Sequence, residues 1–175
     1  SALKYHERAM AIRTKANNQR GMAFSYNNLG NVYIRLKDYK KAEEYMQKSL
    51  KIKREQKDKK GTAGSLINLG EIYMALNKNK EAESFFLEGV NLAHAAKAGD
   101  FFRIGVGNLA DLNFETGNYK TAALYYIRQK AISDSLKQEA TNKQITELTS
   151  QYEVEKKDAE IALQQEQLKL KEAQN

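Results

Sequence analysis

The sequence contains no cysteine, no proline and no tryptophan, and only two histidines. Without cysteine the chain forms neither disulfides nor thiolate metal sites, and without proline no ring interrupts a helix. No apolar run approaches the roughly 18 residues of a membrane-spanning helix. No charged start followed by an apolar stretch indicates a signal peptide either. These absences favour a fold built from uninterrupted helices.

Histidine, the most frequent general acid and base in enzymes, is also scarce. No triad or metal-ligand spacing surrounds His6 or His94. The glycines at 99, 105 and 107 open a helix in the repeat register described below, not a turn between strand and helix, so they do not form a phosphate loop. We therefore predict no catalytic residue, no metal site, no cofactor and no enzyme activity.

Positive charge is concentrated at the start of the chain. Residues 1–60 carry 16 Lys and Arg against 6 Asp and Glu, whereas the whole chain has a net charge of +7. Lys40, Lys41, Lys48 and Lys51 cluster within one stretch. Such a segment can meet nucleic acid, an anionic lipid or an acidic partner. It can also be a solvated outer face, as helix-surface lysines usually are.

A repeat of 40 residues organises the chain. Four columns keep this step: Ala2, Ala42, Ala82 and Ala122; Tyr5, Tyr45, Phe85 and Tyr125; Ile12, Ile52, Leu92 and Ile132; Leu29, Leu69 and Leu109. An asparagine precedes each leucine of the last column, and Gly30, Gly70 or Ala110 follows it. A fixed step of this length is typical of stacked repeat architectures.

Each period is predicted to form two helices. Apolar residues fall at three- and four-residue spacing, and turn signals divide the period in two. We expect the second helix of a truncated repeat at 1–20, which suggests that the chain is an excised piece. Repeats should follow at 21–60 and 61–100, a divergent repeat at 101–134, and a long C-terminal helix at 135–175 that begins at a capping box on Ser135. Gly30 and Gly70 should face Ala42 and Ala82 and let the helix backbones approach closely.

Two segments resemble tetratricopeptide repeats (TPRs): YNNLGNVYIRLKDYKKAEEYMQKSL and INLGEIYMALNKNKEAESFFLEGV. The matching residues are Leu29, Gly30, Tyr33, Ala42, Tyr45 and Ser49, then Leu69, Gly70, Tyr73, Ala82, Phe85 and Gly89. In the third copy Ala110 and Asn113 depart from the pattern. The resemblance implies an all-α fold, a TPR-type α-solenoid whose helix pairs wind into a right-handed superhelix, and the binding of peptides or proteins. The step of 40 residues resembles the longer repeats of signalling and scaffold proteins.

The resemblance also implies a binding face, because the first helix of each TPR pair lines the concave side. The candidate contacts are Asn28, Asn31, Arg35, Asn68, Glu71, Asn108 and Asp111. Residues one turn earlier, Phe24, Gly64 and Ile104, should tune selectivity. Asparagine amides carry two donors and an acceptor, so a series of them can hold an extended peptide backbone. The same asparagines can instead join neighbouring helices and stiffen the array.

The C-terminal third is rich in Glu, Gln, Lys and Leu and has no glycine after Gly117. Ile145, Leu148 and Tyr152 form an apolar stripe that should pack on the helix of residues 119–132 and cap the last repeat. Beyond it Val154, Ile161 and Leu168 recur every seven residues. This spacing suits either a solvated helix or a rod that pairs with a second copy to form a homodimer.

The segment ITELTSQYEVEKKDAEIALQQEQLKLKE resembles the connector that follows TPR arrays in Bacteroidetes-type membrane signalling proteins, such as histidine kinases and helix-turn-helix regulators. The resemblance implies the extracytoplasmic, periplasmic sensor part of a membrane-tethered protein in a two-component or similar system. Two alternatives remain open: a cytoplasmic scaffold for complex assembly, and nucleic-acid binding by the basic first third.

Overall fold

The computed structural model describes residues 2–173, with side chains at residues 5, 8–158 and 161. Over this range all regular secondary structure is helical, which confirms the predicted all-α class. The helices are α1 (Ala2–Lys15), α2 (Gln19–Arg35), α3 (Tyr39–Glu55), α4 (Lys59–Ala75), α5 (Asn79–Ala95), α6 (Gly99–Glu115) and α7 (Tyr119–Ala173). From α2 onward a helix begins every 20 residues, so two helices fill each 40-residue period.

The turns between helices share one backbone geometry. One residue in each turn has a positive φ: Asn17, Lys37, Lys57, Asn77, Lys97 and Gly117, with φ from 48° to 81°. After α2, the amide N–H of Lys37 donates to the carbonyl of Ile34 at 2.9 Å and that of Asp38 to the carbonyl of Tyr33 at 3.0 Å. This pair of bonds is a Schellman motif, which satisfies the last carbonyls of a helix. The same pair of bonds recurs in the other five turns.

Side-chain caps fix where helices α2, α3 and α4 begin. The side chains of Asn18, Asp38 and Asp58 accept hydrogen bonds from the backbone N–H three residues later, at 2.8 to 3.2 Å. Such caps satisfy N–H groups that have no partner within the helix.

The core surrounds α4. One apolar cluster joins α4 to α2 and α3, and another joins it to α5 and α6. Leu66, Ile67, Leu69 and Ile72 are at most 1% exposed. Because α4 is enclosed on opposite sides, nine of its residues between Thr62 and Ile72 are buried, unlike the one-sided pattern of a surface helix.

The glycines that follow the leucine column lie against bulky side chains. Met46 and Phe86, one turn after the alanines predicted to face them, fill the space beside Gly30 and Gly70. A Cβ atom at residue 30 would lie 2.8 Å from the Met46 methyl, and one at residue 70 would clash with the Phe86 ring. The glycines therefore leave room for the side chains of Met46 and Phe86, and the predicted partners Ala42 and Ala82 are not their nearest neighbours.

The chain divides into two compact units, Ser1–Ile132 and Ser133–Asn175. The predicted helix start at Ser135 is wrong, because α7 runs without a break from Tyr119 to Ala173. The predicted cap is also wrong: Ile145, Leu148 and Tyr152 are 56%, 57% and 67% exposed, and an uninterrupted helix cannot fold back on its own earlier turns. Among the described residues, no helix combines the length and hydrophobicity needed to cross a membrane.

Candidate functional site

Five of the seven predicted contact residues form interhelical pairs. Asn68 on α4 donates through Nδ2 to Oδ1 of Asn31 on α2 at 3.3 Å, and Asn108 on α6 donates through Nδ2 to Oε1 of Glu71 on α4 at 2.9 Å. Both pairs join positions 37 residues apart, so one bond repeats along the first helices. Asp111 accepts instead from the hydroxyl of Tyr126 on α7 at 2.6 Å. The first helices thus carry a polar ladder, Asn31–Asn68 and Glu71–Asn108.

The predicted residues are divided among three cavities. A small one of about 220 Å³ is lined by Asn28, Asn31, Val32 and Arg35. An acidic cavity of about 340 Å³ is lined by Glu71, Met74, Ala75, Asn108, Asp111 and Glu115. The two asparagines of the first ladder pair lie in a third and larger space. The structure therefore places all seven residues on cavity walls of the first helices without bringing them into one pocket.

The larger space, here called the Phe24 cavity, has a volume of about 480 Å³. Its lining residues are Arg20, Ala23, Phe24, Asn27, Asn31, Lys53, Gln56, Asp58, Lys60, Gly61, Gly64, Asn68 and Phe101. The ring of Phe101 reaches this space because residue 64 is glycine: a Cβ atom there would lie 2.8 Å from the tip of the ring. Apolar, amide and cationic groups meet in this cavity.

The sequence prediction missed several residues of the Phe24 cavity, among them Arg20, Lys53, Lys60 and Phe101. Lys53 is the one whose burial was least expected. Its ammonium group donates to Oγ of Ser65 at 2.8 Å and to Oδ1 of Asn27 at 3.1 Å. Burial away from water lowers the pKa of Lys53, and the nearby Asp58 carboxylate opposes this shift. In the sequence Lys53 looks like one more solvated lysine. The available signal was the recurrence of a basic residue 12 positions before a buried serine, as in Arg13 and Ser25.

Tyrosine hydroxyls add further bonds between helices. Tyr73 on α4 donates to Glu43 on α3 at 2.6 Å, and this hydrogen bond, with partial burial, raises the pKa of Tyr73 to about 12. The corresponding bond to Asp111 raises the pKa of Tyr126. These phenols stay protonated at neutral pH and act as donors in the packing of the array.

The predicted absence of a metal site and the two histidines can be compared with the described residues. No group of three or more His, Asp or Glu among them is placed to hold a metal ion. His94 is exposed and lies against the Phe102 ring, with the ring centres 5.0 Å apart. The side chain of His6 lies outside the described residues.

A fold of stacked helix pairs, with cavities along the first helices, defines the class of helical repeat proteins that present an extended binding surface. The sequence profile of the tetratricopeptide repeat matches residues 1–55 and 21–95. The chain belongs to the tetratricopeptide repeat family, whose fold is typically a non-catalytic module for protein interaction. No curated protein matches the chain by sequence.

Solved structures with the same fold confirm the TPR-type solenoid. BtubC (BKLC) from P. vanneervenii matches with a TM-score of 0.68 and 19% identity, over 78% of this chain and 57% of BtubC. The TPR domain of Arabidopsis FLU matches with a TM-score of 0.63 and 18% identity, over 67% and 98%. The apo form of RapI matches with a TM-score of 0.68 and 22% identity, over 76% and 37%. The chain thus spans little more than half of BtubC and about a third of RapI.

Proposed function

We propose that the chain is a protein- or peptide-binding module whose ligand lies along the first helices α2, α4 and α6. The observation that carries this proposal is the polar ladder, Asn31–Asn68 and Glu71–Asn108, which lies on the walls of cavities with volumes of about 340 and 480 Å³. Binding sites usually combine such a concavity with a few fixed polar groups.

The ladder is compatible with both roles considered for the asparagines. One bond of Asn68 goes to Asn31 and one of Asn108 goes to Glu71, so the amides do join neighbouring helices. Each amide has a second N–H and a carbonyl oxygen with two lone pairs. The interhelical bond fixes the orientation of each amide. The Asn68 amide nitrogen also donates to Sδ of Met46 at 3.8 Å, so the carbonyl oxygen is the group that Asn68 can offer to a peptide backbone.

Replacing Asn68 with alanine is expected to weaken peptide binding several-fold while lowering the melting temperature by only a few degrees, since one part-buried hydrogen bond is worth about 1 kcal/mol. The measurement is fluorescence anisotropy with a peptide selected on the parent chain from a random display library, alongside a thermal melt. Asn91→Ala is the matched control, because Asn91 is exposed on α5. If Asn68→Ala melts far lower yet binds as tightly as the parent, the ladder is purely structural.

A finer proposal is that this module is the ligand-sensing part of a membrane-tethered signalling protein, with the repeats on the extracytoplasmic side. Its support is the connector-like sequence within α7 and the length of that helix, which reaches Ala173. A cytoplasmic scaffold is the alternative. The coding sequence on either side of these 175 residues separates the two. An export signal before the repeats and a membrane span after Asn175 favour the sensor, whereas flanks without either favour the scaffold.

The sensor proposal includes a homodimer through α7. Ile145, Leu148 and Tyr152 follow each other at helical three- and four-residue spacing and are exposed. Val154 and Ile161 are exposed as well and form a second stripe, seven residues apart, on the opposite face of α7. Leu168 of that second stripe lies outside the described side chains. A stripe with this spacing can pair with its own copy. Nucleic-acid binding by the basic first third remains the less favoured alternative.

Multi-angle light scattering tests the homodimer. We expect the parent to elute with twice the chain mass of 19.9 kDa and the double variant Ile145→Glu, Leu148→Glu to elute as a monomer, because buried glutamates repel across the seam. The control is Gln144→Glu with Gln151→Glu, two exposed residues one heptad apart on the side of α7 between its apolar stripes, which adds the same charge and should leave the dimer intact. A monomeric parent contradicts the homodimer and favours the scaffold.

A further inference from the structure

Four basic side chains occupy repeat-equivalent positions at the first two repeat junctions. Arg13 and Lys53 lie near the ends of α1 and α3, and Arg20 and Lys60 lie near the starts of α2 and α4. Members of each pair are 40 residues apart. At the third junction the equivalent residues are Ala93 and Asp100. Both positions are therefore basic at the first two junctions, and neither is basic at the third.

Two of these cations are half-buried and hydrogen-bonded to neutral partners. Arg13 donates through Nη1 to Oγ of Ser25 at 2.5 Å and to the carbonyl of Gly21 at 3.3 Å. Lys53 donates to Ser65 and Asn27. In the third repeat the serine position is Gly105, so cation and acceptor are absent together. The serines and the cations thus recur as one motif.

The four basic residues at these junctions form no salt bridge with a described carboxylate. Among the described residues, no carboxylate lies within 4 Å of Arg13, Arg20, Lys53 or Lys60. Asp58 also lines the Phe24 cavity, where its single negative charge stands against the three cations Arg20, Lys53 and Lys60. A cation removed from water without a counterion is costly, and an anionic ligand that reaches it removes that cost. The cavity is therefore complementary to negative charge.

The same cavity offers apolar surface beside the cations. Phe24 is 58% exposed, the Arg13 guanidinium lies 5.5 Å from its ring centre, and Phe101 reaches the cavity over Gly64. Along the first helices the charge reverses, since the acidic cavity is lined by Glu71, Asp111 and Glu115. A bound chain thus meets cations with aromatic rings at one cavity and carboxylates at the other.

We propose that the Phe24 cavity binds an acidic peptide segment, in which Asp or Glu side chains lie against Lys53, Arg20 and Lys60 and an adjacent aromatic or aliphatic side chain lies between Phe24 and Phe101. This inference rests on the proposed function and names the chemistry of its ligand. A volume of about 480 Å³ suits a few peptide side chains. A nucleic-acid strand would extend beyond it and would also be attracted to lysines outside the cavity, such as Lys40 and Lys51.

The test uses three fluorescein-labelled dodecapeptide pools with acetylated and amidated ends, so that no terminal charge contributes. All contain Phe, Leu, Ser and Gly; the first adds Asp and Glu, the second Asn and Gln, and the third Lys and Arg. A single-stranded DNA dodecamer is the fourth probe. We expect the acidic pool to bind the parent chain about tenfold more tightly than the neutral pool, as for a few charge-assisted contacts.

Matched variants assign this preference to the cavity. Arg20→Gln with Lys60→Gln changes two exposed residues that line the Phe24 cavity, so the fold should be kept. Lys40→Gln with Lys51→Gln removes the same charge from exposed lysines outside it. Lys53→Gln is measured as well, with circular dichroism as the check of folding. The first pair should weaken acidic-pool binding about tenfold, and the second should leave it nearly unchanged.

Each other outcome overturns the inference in a recognisable way. Equal binding of the acidic and neutral pools contradicts the acidic ligand and leaves the peptide-binding function standing. If both double variants lose the same affinity for the acidic pool, the preference depends on the overall charge of the chain and not on the cavity. Tighter binding of DNA, with a steep dependence on salt, assigns the basic region to nucleic acid. Binding of none of the pools contradicts the proposed function itself.

Discussion

Replacing Phe86 with alanine is expected to lower the free energy of unfolding by about 3–5 kcal/mol. Phe86 is 0% exposed and is the largest of the fully buried side chains. It belongs to the cluster that joins α4, α5 and α6 and fills the space beside Gly70. Its loss opens a cavity between two repeats, because the helices that surround it can collapse only partly. Urea denaturation followed by circular dichroism measures the change.

The neighbouring residue supplies the control for Phe86. Leu87 lies on the same helix but is 40% exposed, and Leu87→Ala should cost less than about 1 kcal/mol. Both substitutions place alanine in a helix, so the change in helix propensity acts in the same direction for each. If the two variants unfold at similar urea concentrations, the packing between α4, α5 and α6 contributes much less than its burial implies.

Replacing Gly70 with alanine should destabilise the fold, whereas the equivalent change at Gly30 should be neutral or stabilising. Alanine gains about 1 kcal/mol over glycine within a helix. At residue 70 the new methyl group clashes with the rigid Phe86 ring, and overpacking of this kind costs about 1–3 kcal/mol. At residue 30 the nearest atom is the end of the flexible Met46 side chain, at 2.8 Å.

Melting of the two glycine variants side by side provides the measurement. We expect Gly30→Ala to be more stable than Gly70→Ala by about 2 kcal/mol. The double variant Gly70→Ala, Phe86→Leu should recover part of the loss, because the smaller side chain leaves room for the methyl group. Two single variants of equal stability would show that the Phe86 ring can shift at little cost.

The repeat columns made most of the fold predictable from the sequence, because each column is a packing contact that recurs every 40 residues. Helix pairs, turns and the buried alanines Ala42, Ala82 and Ala122 all follow from that register. The helix start at Ser135 was predicted wrongly because the end of a repeat is not the end of a helix. With no glycine or proline between Gly117 and Ala173, local propensity continues α7.

The candidate site was predictable only in part. The register placed Asn68 and Asn108 on the first helices, and their contacts with Asn31 and Glu71 depend on how far each first helix is shifted against the next. Lys53 was missed because a lysine on a basic helix is ordinarily solvated, and its one signal was the serine 12 positions later, a spacing shared with Arg13 and Ser25. Its burial arises from Ser65 and Asn27, which lie on two other helices.

The shared turn geometry bears on how such a chain changes its length over evolution. Every connection is closed by the same backbone bonds around a left-handed residue, and five of these six residues are not glycine. Asparagine, lysine and glycine all occupy this position, so the connection does not require glycine, and one loop geometry joins the second helix of a unit to the first helix of the next. Duplication or deletion of one 40-residue unit in frame preserves the geometry of every turn, so recombination can lengthen or shorten the row of cavities. The basic residues at a junction are then duplicated or lost together with the unit that carries them.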